Sequence, residues 1–290
     1  MQNYTMPYRL CFLQNSLSLI FVLLFMVSEV SSAETAKSSY LVPEPRPSNV
    51  TMSFCEAIQH NNLEIVKLLS QQDPDVNGPN CGGLTPLSNA ARASGDTSAI
   101  LNFLLYHGAD PNYQTGTWAE DEAGKTALMY SVDSDIGDFD DLSTNLHKVT
   151  ILLKHGTDVN LEDFNGYTAL DYIVVTGIDL DYLMPQVAKK KTENTKKIIQ
   201  MLVAHHADVN HKNKSGVSRW GKKYGGMTPL MLASRQCDAD IVKLLVSLGA
   251  DASLKTQTGD TAFSLALASA ANTTGKVCTA TIHVLQRVSY

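Results

Sequence analysis

Three consecutive residues, Gly124-Lys125-Thr126, are of the types found in phosphate-binding loops, where a lysine contacts the phosphate oxygens of a nucleotide. That motif needs an earlier glycine at closer spacing than this sequence provides, since the nearest one upstream is Gly116, eight residues before Gly124. The spacing therefore argues against nucleotide binding, and we expect no nucleotide cofactor.

Imidazole groups that could bind a metal ion occur at His205, His206 and His211, which lie close together in the sequence. We assign His206 to a recurring position next to a helix end, where His107 and His155 stand in other parts of the chain. This recurrence favours a role at the helix terminus over metal ligation. The sequence therefore predicts no metal site and no other cofactor.

The lack of known catalytic motifs and the amino-acid composition exclude further classes of function. The sequence has no Gly-x-Ser-x-Gly nucleophile motif, no His-Glu-x-x-His zinc motif and no paired carboxylates at catalytic spacing, so we predict that it is not an enzyme. Of its 290 residues, 44% are hydrophobic and 18% are charged, which excludes a wholly disordered chain. The net charge of −6 argues against a protein that binds nucleic acid by neutralising phosphates.

The N-terminal part of the chain has the pattern of an export signal. The apolar stretch from Leu17 to Val27 is too short to span a bilayer, and the small residues Ser31-Ser32-Ala33 follow it. We predict a cleaved signal peptide over 1–33 and a proline-rich linker over 34–50. The alternatives are an uncleaved membrane anchor, since Leu10–Leu13 extends the apolar run, and a cytosolic chain. The expected location is the periplasm in a Gram-negative source, or secretion otherwise.

The rest of the chain contains two recurring phrases. One has the form Asp-x-Asn and ends at Asn77, Asn112, Asn160 and Asn210, with Ser253 at the corresponding place in a fifth copy. The other pairs a threonine with proline or alanine, and its threonines are Thr85, Thr126, Thr168, Thr228 and Thr261. The shortest spacings are 8 residues from the first phrase to the second and 25 from the second to the next first phrase. They give a period of 33 residues, and longer spacings indicate insertions.

The phrases around Thr85 and Thr228, with residues 107–110 (HGAD) and 239–245 (ADIVKLL), resemble the ankyrin-repeat consensus. The resemblance implies an all-α ankyrin-repeat α-solenoid of about six repeats, each a helix pair with an extended finger. We expect one ankyrin-repeat domain over 51–290, with repeats at about 51–77, 78–112, 113–160, 161–210, 211–253 and 254–290.

Insertions enlarge both the fingers and the loops between paired helices. The fingers gain six residues before Thr126 and ten before Thr228. Within repeat 3 the segment Asp133–Asp141 is acidic and lacks the glutamate of a calcium loop, so we expect a solvated loop. In repeat 4 the segment Leu183–Lys191 suggests a helix extension broken by Pro185, with its lysines on a solvated face.

Both tryptophans of the chain lie in the two finger insertions. Tryptophan, tyrosine and arginine often carry the binding energy of protein interfaces. We therefore predict that these insertions contact another protein, although each tryptophan could instead cover its own repeat. The predicted partner-binding residues are Trp118, Glu120, Asp121, Glu122, Arg219, Trp220, Lys222, Lys223 and Tyr224.

Four cysteines follow the predicted signal peptide. In a stack of repeats the two ends are too far apart for a disulfide, which leaves the pairs Cys55–Cys81 and Cys237–Cys278. Each bond would link a terminal repeat to its neighbour. The alternative is four independent buried thiols.

These features predict a non-catalytic module that binds a partner protein through its fingers and concave face, outside the cytosol. An inhibitor, immunity or chaperone-like role towards another exported protein fits such a binder. The alternatives are a secreted effector that acts on a host protein and, more remotely, an enzyme whose site lies in the insertions of repeats 3 and 4. We expect a monomer when unbound, without nucleic-acid partners and without membrane association after signal cleavage.

Overall fold

The computed structural model describes residues 49–72, 74–116, 123–133, 144–175, 185–214, 225–272 and 278–288. All of them lie in the second of two units into which the chain divides, Arg46–Tyr290. Within these ranges the regular secondary structure is entirely α-helical, and none of the described residues belongs to a β-strand. The predicted signal peptide lies outside the described residues, as does the linker apart from its last two residues.

The helices of the described residues form six consecutive pairs. Their bounds, pair by pair, are α1 Asn49–Gln59 and α2 Leu63–Ser70, α3 Pro86–Arg92 and α4 Ser98–Tyr106, α5 Ala127–Val132 and α6 Thr144–Lys154, α7 Ala169–Val175 and α8 Pro185–Ala204, α9 Pro229–Arg235 and α10 Ala239–Ser247, α11 Ala262–Asn272 and α12 Thr279–Val288.

The pairs stack in sequence order and form two layers. The first helix of each pair packs against the first helices of the neighbouring pairs, and the second helices pack against one another in the same way. Buried side chains form one continuous core between the layers, including the leucine that follows each Thr-Pro or Thr-Ala step at Leu87, Leu128, Leu170 and Leu230. This arrangement confirms the predicted all-α repeat solenoid, in which one pair alone cannot bury its apolar face.

The recurring threonine begins the first helix of a pair. The Oγ1 atoms of Thr85, Thr126 and Thr228 accept hydrogen bonds from backbone N–H groups three residues later, at 3.1 to 3.3 Å. Each threonine has an extended backbone, which is the usual conformation of an N-cap residue. Pro86 and Pro229 occupy the first helical position, where a missing N–H costs nothing.

The Asp-x-Asn phrase has two structural roles. Its aspartate closes a local turn, as when Asp158 Oδ1 accepts the N–H of Asn160 at 2.9 Å. Its asparagine bonds to the next repeat: Asn160 Oδ1 accepts the N–H of Asp208 at 2.8 Å, and its Nδ2 donates to the carbonyl of His206 at 2.9 Å. Similar inter-repeat bonds recur at Asn77, Asn112 and Asn210. The phrase therefore links successive repeats.

The structure corrects two sequence predictions. His206 does not stand where His107 and His155 do, because its φ of +69° places it with Gly108 and Gly156, which also have positive φ. His205 is therefore the residue that precedes this left-handed position in repeat 4. Pro185 does not break a helix: it is the first residue of the 20-residue helix α8, where proline is well tolerated.

Two further predictions about the insertions fall partly or wholly outside the described ranges. The lysine run is exposed at Lys189 and Lys190, as predicted, whereas Lys191 is half-buried and burial lowers the pKa of its amine. The acidic segment lies outside the described residues except for Asp133.

Candidate functional site

All nine predicted partner-binding residues lie outside the described residues, but the bases of their two fingers are described. In repeat 3, Thr115 N–H donates to the Lys125 carbonyl at 3.0 Å and Gly124 N–H donates back to Thr115 at 2.9 Å. In repeat 5, Asn213 N–H donates to Met227 at 3.1 Å and Gly226 N–H donates back to Asn213 at 3.0 Å. Each finger is therefore closed at its base as a hairpin.

Two other fingers close with the same pair of bonds over a shorter span. Asp163 N–H donates to the Tyr167 carbonyl at 2.9 Å in repeat 4, and Thr256 N–H donates to the Asp260 carbonyl at 2.9 Å in repeat 6. The bonded residues are four positions apart in these fingers, ten in repeat 3 and fourteen in repeat 5. The six and ten extra residues predicted from the sequence are therefore inserted between the bonded residues of these two hairpin bases.

Neighbouring fingers contact one another through their backbones. Phe164 N–H donates to the Ala123 carbonyl at 3.2 Å, which joins the fingers of repeats 3 and 4. Gly166, with a φ of +77°, lies so close to the Lys214 backbone that a Cβ would collide with it. The side chain of Phe164 is 59% exposed at the turn of the short finger, between the two long ones. Sequence reasoning missed this exposed aromatic residue.

Beneath these fingers lies a cluster of titratable side chains that the sequence did not reveal. Lys125 Nζ pairs with Asp133 Oδ2 at 2.7 Å, and the two side chains are only 6% and 12% exposed. The ammonium also lies 4.6 Å from the ring centroid of Tyr172 and 5.4 Å from that of Tyr130. Lys125 is therefore engaged with protein groups in the interior.

The same cluster contains two carboxylates from repeat 4. Asp163 accepts hydrogen bonds from the backbone N–H groups of Asn165 and Tyr167 at 2.9 and 2.7 Å, and from the hydroxyl of Tyr172 at 2.7 Å. Burial nevertheless raises the pKa of Asp163, and burial together with the Asp163 charge raises the pKa of Tyr172. These bonds fix the turn that carries Phe164.

Asp171, the other carboxylate, lies in the first turn of α7 and is completely buried. Its Oδ2 accepts hydrogen bonds from both the N–H and the hydroxyl of Thr168 at 2.9 Å, in a capping-box arrangement. Burial raises the pKa of Asp171 to about 7, although the Thr168 bonds and the nearby His211 lower it. Among the described residues, Asp171 Oδ1 and Asn213 Nδ2 are buried without a hydrogen-bond partner.

His211 connects this cluster to repeat 5. Its Nε2–H donates to the Gly166 carbonyl at 2.9 Å and lies 4.0 Å from Asp171 Oδ2 and 3.9 Å from Glu162 Oε1. Lys214 Nζ pairs with Glu162 Oε2 at 2.6 Å. The arrangement can hold the fingers of repeats 4 and 5 in register. Among the described residues no three His, Cys, Asp or Glu side chains come together as metal ligands.

Both predicted cysteine pairs lie at disulfide distance. The Cα atoms of Cys55 and Cys81 are 5.4 Å apart, and those of Cys237 and Cys278 are 4.9 Å apart, both within the range of protein disulfides. Each pair joins a terminal repeat to its neighbour. Within the part of the chain that is described, no helix is both long enough and apolar enough to span a membrane.

Comparison with known sequences identifies the repeat. A family model described as ankyrin repeats in three copies matches residues 40–115 and 186–277, more than half of the chain. The chain belongs to the ankyrin-repeat family. Ankyrin repeats are generally protein–protein interaction modules, and the family is typically non-catalytic.

Three similar curated proteins match this chain over only part of their own length. A putative ankyrin repeat protein of Fowlpox virus is 28% identical over 193 residues, 66% of this chain and 46% of that protein. A palmitoyltransferase of Lachancea kluyveri is 29% identical over 221 residues, 75% of this chain and 24% of that enzyme. Ankyrin repeat and SAM domain-containing protein 6 of Rattus norvegicus is 33% identical over 120 residues, 41% of this chain and 12% of that protein. The chain thus spans less than half the length of these relatives.

Proposed function

We propose that this ankyrin-repeat chain is a non-catalytic module that binds another protein outside the cytosol, chiefly through the fingers of repeats 3 and 5. The observation that carries the proposal is the position of the two insertions. Both are inserted within hairpin bases whose hydrogen bonds match those of the uninserted fingers, so the described packing between repeats is the same with and without an insertion. Repeat proteins often carry insertions on their binding face.

The composition of the two fingers fits a protein partner. Each insertion contributes one tryptophan, Trp118 or Trp220, and Phe164 exposes a third aromatic side chain on the finger between them. Aromatic residues at the centre of an interface bury much apolar area at small entropic cost. The first insertion is acidic at residues 120–122, and the second carries Arg219, Lys222 and Lys223. Partner surfaces of opposite charge are therefore expected along the row of fingers.

The cysteines and the N-terminal sequence support a location outside the cytosol. Disulfides persist in oxidising compartments and are rare in the cytosol, and two cysteine pairs lie at bonding distance here. The sequence over 1–33 has the pattern of a signal peptide. The role of an inhibitor, immunity or chaperone-like protein towards another exported protein requires only this binding surface.

The finger surface is tested by measuring the affinity of the full chain for a protein recovered with it by affinity capture. We expect the Trp118→Ala and Trp220→Ala variants to bind at least tenfold more weakly with little change in Tm. Tyr106→Ala is the matched control, because Tyr106 is 83% exposed but is the last residue of α4 and belongs to neither finger insertion. Unchanged affinity in both tryptophan variants, or a large loss of stability with binding intact, would refute finger contact.

The location is tested on the protein isolated from its native source without reducing agent. We expect intact mass spectrometry to show a chain that begins at Glu34 and lacks four thiol hydrogens. Peptide mapping is expected to link Cys55 to Cys81 and Cys237 to Cys278. Four free thiols on a chain that retains residues 1–33 would contradict an extracytosolic role.

A further inference from the structure

Asp171 is an unusual residue for its place in the fold. It is the third residue of the first helix in repeat 4, where it completes the capping box with Thr168. The same position is held by Ser88 and Ser264 in repeats 2 and 6 and by Met129 and Met231 in repeats 3 and 5. Repeat 4 therefore buries an ionisable group at a position where these four repeats have a neutral one.

The surroundings of Asp171 leave one of its oxygens unsatisfied. Oδ2 is held by Thr168, whereas Oδ1 is buried and has no hydrogen-bond partner among the described residues. His211 faces Oδ2 at 4.0 Å from the finger of repeat 5, and only 14% of its side chain is exposed. A buried carboxylate is costly unless an opposite charge or a proton neutralises it.

Other charged groups around the pair are mostly engaged elsewhere. Lys125 pairs with Asp133 from the side of repeat 3, and Lys214 pairs with Glu162 at the rim. Asp163 accepts three hydrogen bonds within its own finger, including one from Tyr172, and its charge opposes ionisation of Asp171. Burial raises the pKa of Tyr167 most, and the charges of Asp171 and Asp163 raise it further. Arg235, the last residue of α9, lowers that pKa.

We propose that Asp171 and His211 form a pH-sensitive lock between repeats 4 and 5, which holds the base of the repeat-5 finger closed while Asp171 keeps its carboxyl proton. With that proton present, no charge is buried at Asp171. His211, which lies 4.0 Å from Asp171 Oδ2, then keeps its hydrogen bond to the Gly166 carbonyl and joins the repeat-5 finger to repeat 4.

Loss of the Asp171 proton places a negative charge in this buried site. The carboxylate then lies 4.0 Å from the His211 ring, with Glu162 and Asp163 as negative neighbours. Water entering between the repeats would solvate that charge, and the finger that carries His211, Asn213 and Gly226 lies at this boundary. Because burial raises the pKa of Asp171 to about 7, this change falls near neutral pH.

The lock is tested by hydrogen exchange on the full chain without any partner, so the outcome does not depend on the proposed function. Exchange is measured at pH 6 and pH 8.5 and corrected for the intrinsic effect of pH. We expect the protection of the Asn213 and Gly226 amides, which form the repeat-5 hairpin base, to fall at least fivefold at the higher pH. The Thr256 and Gly259 amides form the same bonds in repeat 6 and are expected to stay equally protected.

Variants separate the lock from a general effect of pH. Asp171→Ser places the capping residue of repeats 2 and 6 in repeat 4, and His211→Gln removes the imidazole that links Asp171 to the repeat-5 finger. Both variants are expected to abolish the pH dependence of protection at the repeat-5 hairpin base. Lys214→Ala removes the rim ion pair and is expected to retain it. Equal protection of the unaltered chain at both pH values, or pH dependence that survives in Asp171→Ser and His211→Gln, would overturn the proposal.

Discussion

At the scale of single residues, Lys125 has a structural role that differs from the chemistry its motif suggests. Its sequence neighbours are those of a phosphate-binding lysine, yet the folded chain buries it against Asp133 and two tyrosine rings. A buried ion pair adds little net stability over an apolar pair, but removal of one partner leaves the other charge buried without compensation.

We therefore expect Lys125→Met to destabilise the protein by about 3–5 kcal/mol, as measured by denaturant unfolding at pH 7. Lys196→Met is the matched control, because Lys196 pairs with Asp240 at 2.9 Å on the surface, where the side chains are 33% and 54% exposed. The control is expected to cost less than about 1 kcal/mol. Equal losses in the two variants would show that burial does not set the energy of the Lys125 pair.

Asp171 gives a second prediction at this scale, for the pH dependence of stability. The pKa of an unfolded aspartate lies near 3.8 and that of folded Asp171 is about 7, so the folded chain binds the extra proton between these values. Its contribution to stability therefore falls as pH rises from about 4 to about 7, by at most about 4 kcal/mol. We expect Asp171→Asn to be more stable than the unaltered chain at pH 8 and to lose this advantage by pH 4. If the difference in the free energy of unfolding between Asp171→Asn and the unaltered chain stays constant from pH 4 to pH 8, the raised pKa of Asp171 is contradicted.

At the scale of helices and turns, the recurring phrases proved informative because their residues act locally. Thr228 caps the helix that begins at the next residue, and Asp158 accepts the N–H of Asn160, two residues later. Both roles therefore depend only on neighbours in the sequence. The link from Asn160 to His206 spans 46 residues and could not be found before the stacking was known. Asp171 was missed for the same reason, since its partner His211 lies in the next repeat.

The inter-repeat link predicts a measurable role for the asparagine of the phrase. Asn160→Ala removes two hydrogen bonds from repeat 3 to repeat 4, at 2.8 and 2.9 Å. It leaves the turn in which Asp158 Oδ1 accepts the backbone N–H of residue 160. We expect a loss of about 1–3 kcal/mol in the free energy of unfolding. Ser253→Ala is the control, because the Ser253 hydroxyl donates to Asp251 within its own turn. A loss no larger than that of the control would mean that the asparagine ladder does not couple repeats.

At the scale of the whole repeat stack, coupling passes from each repeat to the next. Every substantial contact between helices joins members of one pair or of adjacent pairs. In such a chain the terminal repeats have one neighbour instead of two, and unfolding begins at the ends. The two cysteine pairs lie at these ends, so their stabilising effect is expected to be local.

Loss of one pair is therefore expected to unfold one end without weakening the middle. Combining Cys55→Ala with Cys81→Ala removes a link between residues 26 apart and should destabilise the protein by about 3 kcal/mol. Hydrogen exchange is expected to accelerate in α1 and α2 and to stay unchanged in α5 to α8. The corresponding change at Cys237 and Cys278 should affect α12 first, because that helix follows Cys278 directly. If either double variant accelerates exchange equally in all six repeats, the stack unfolds as a single cooperative unit and the nearest-neighbour description is wrong.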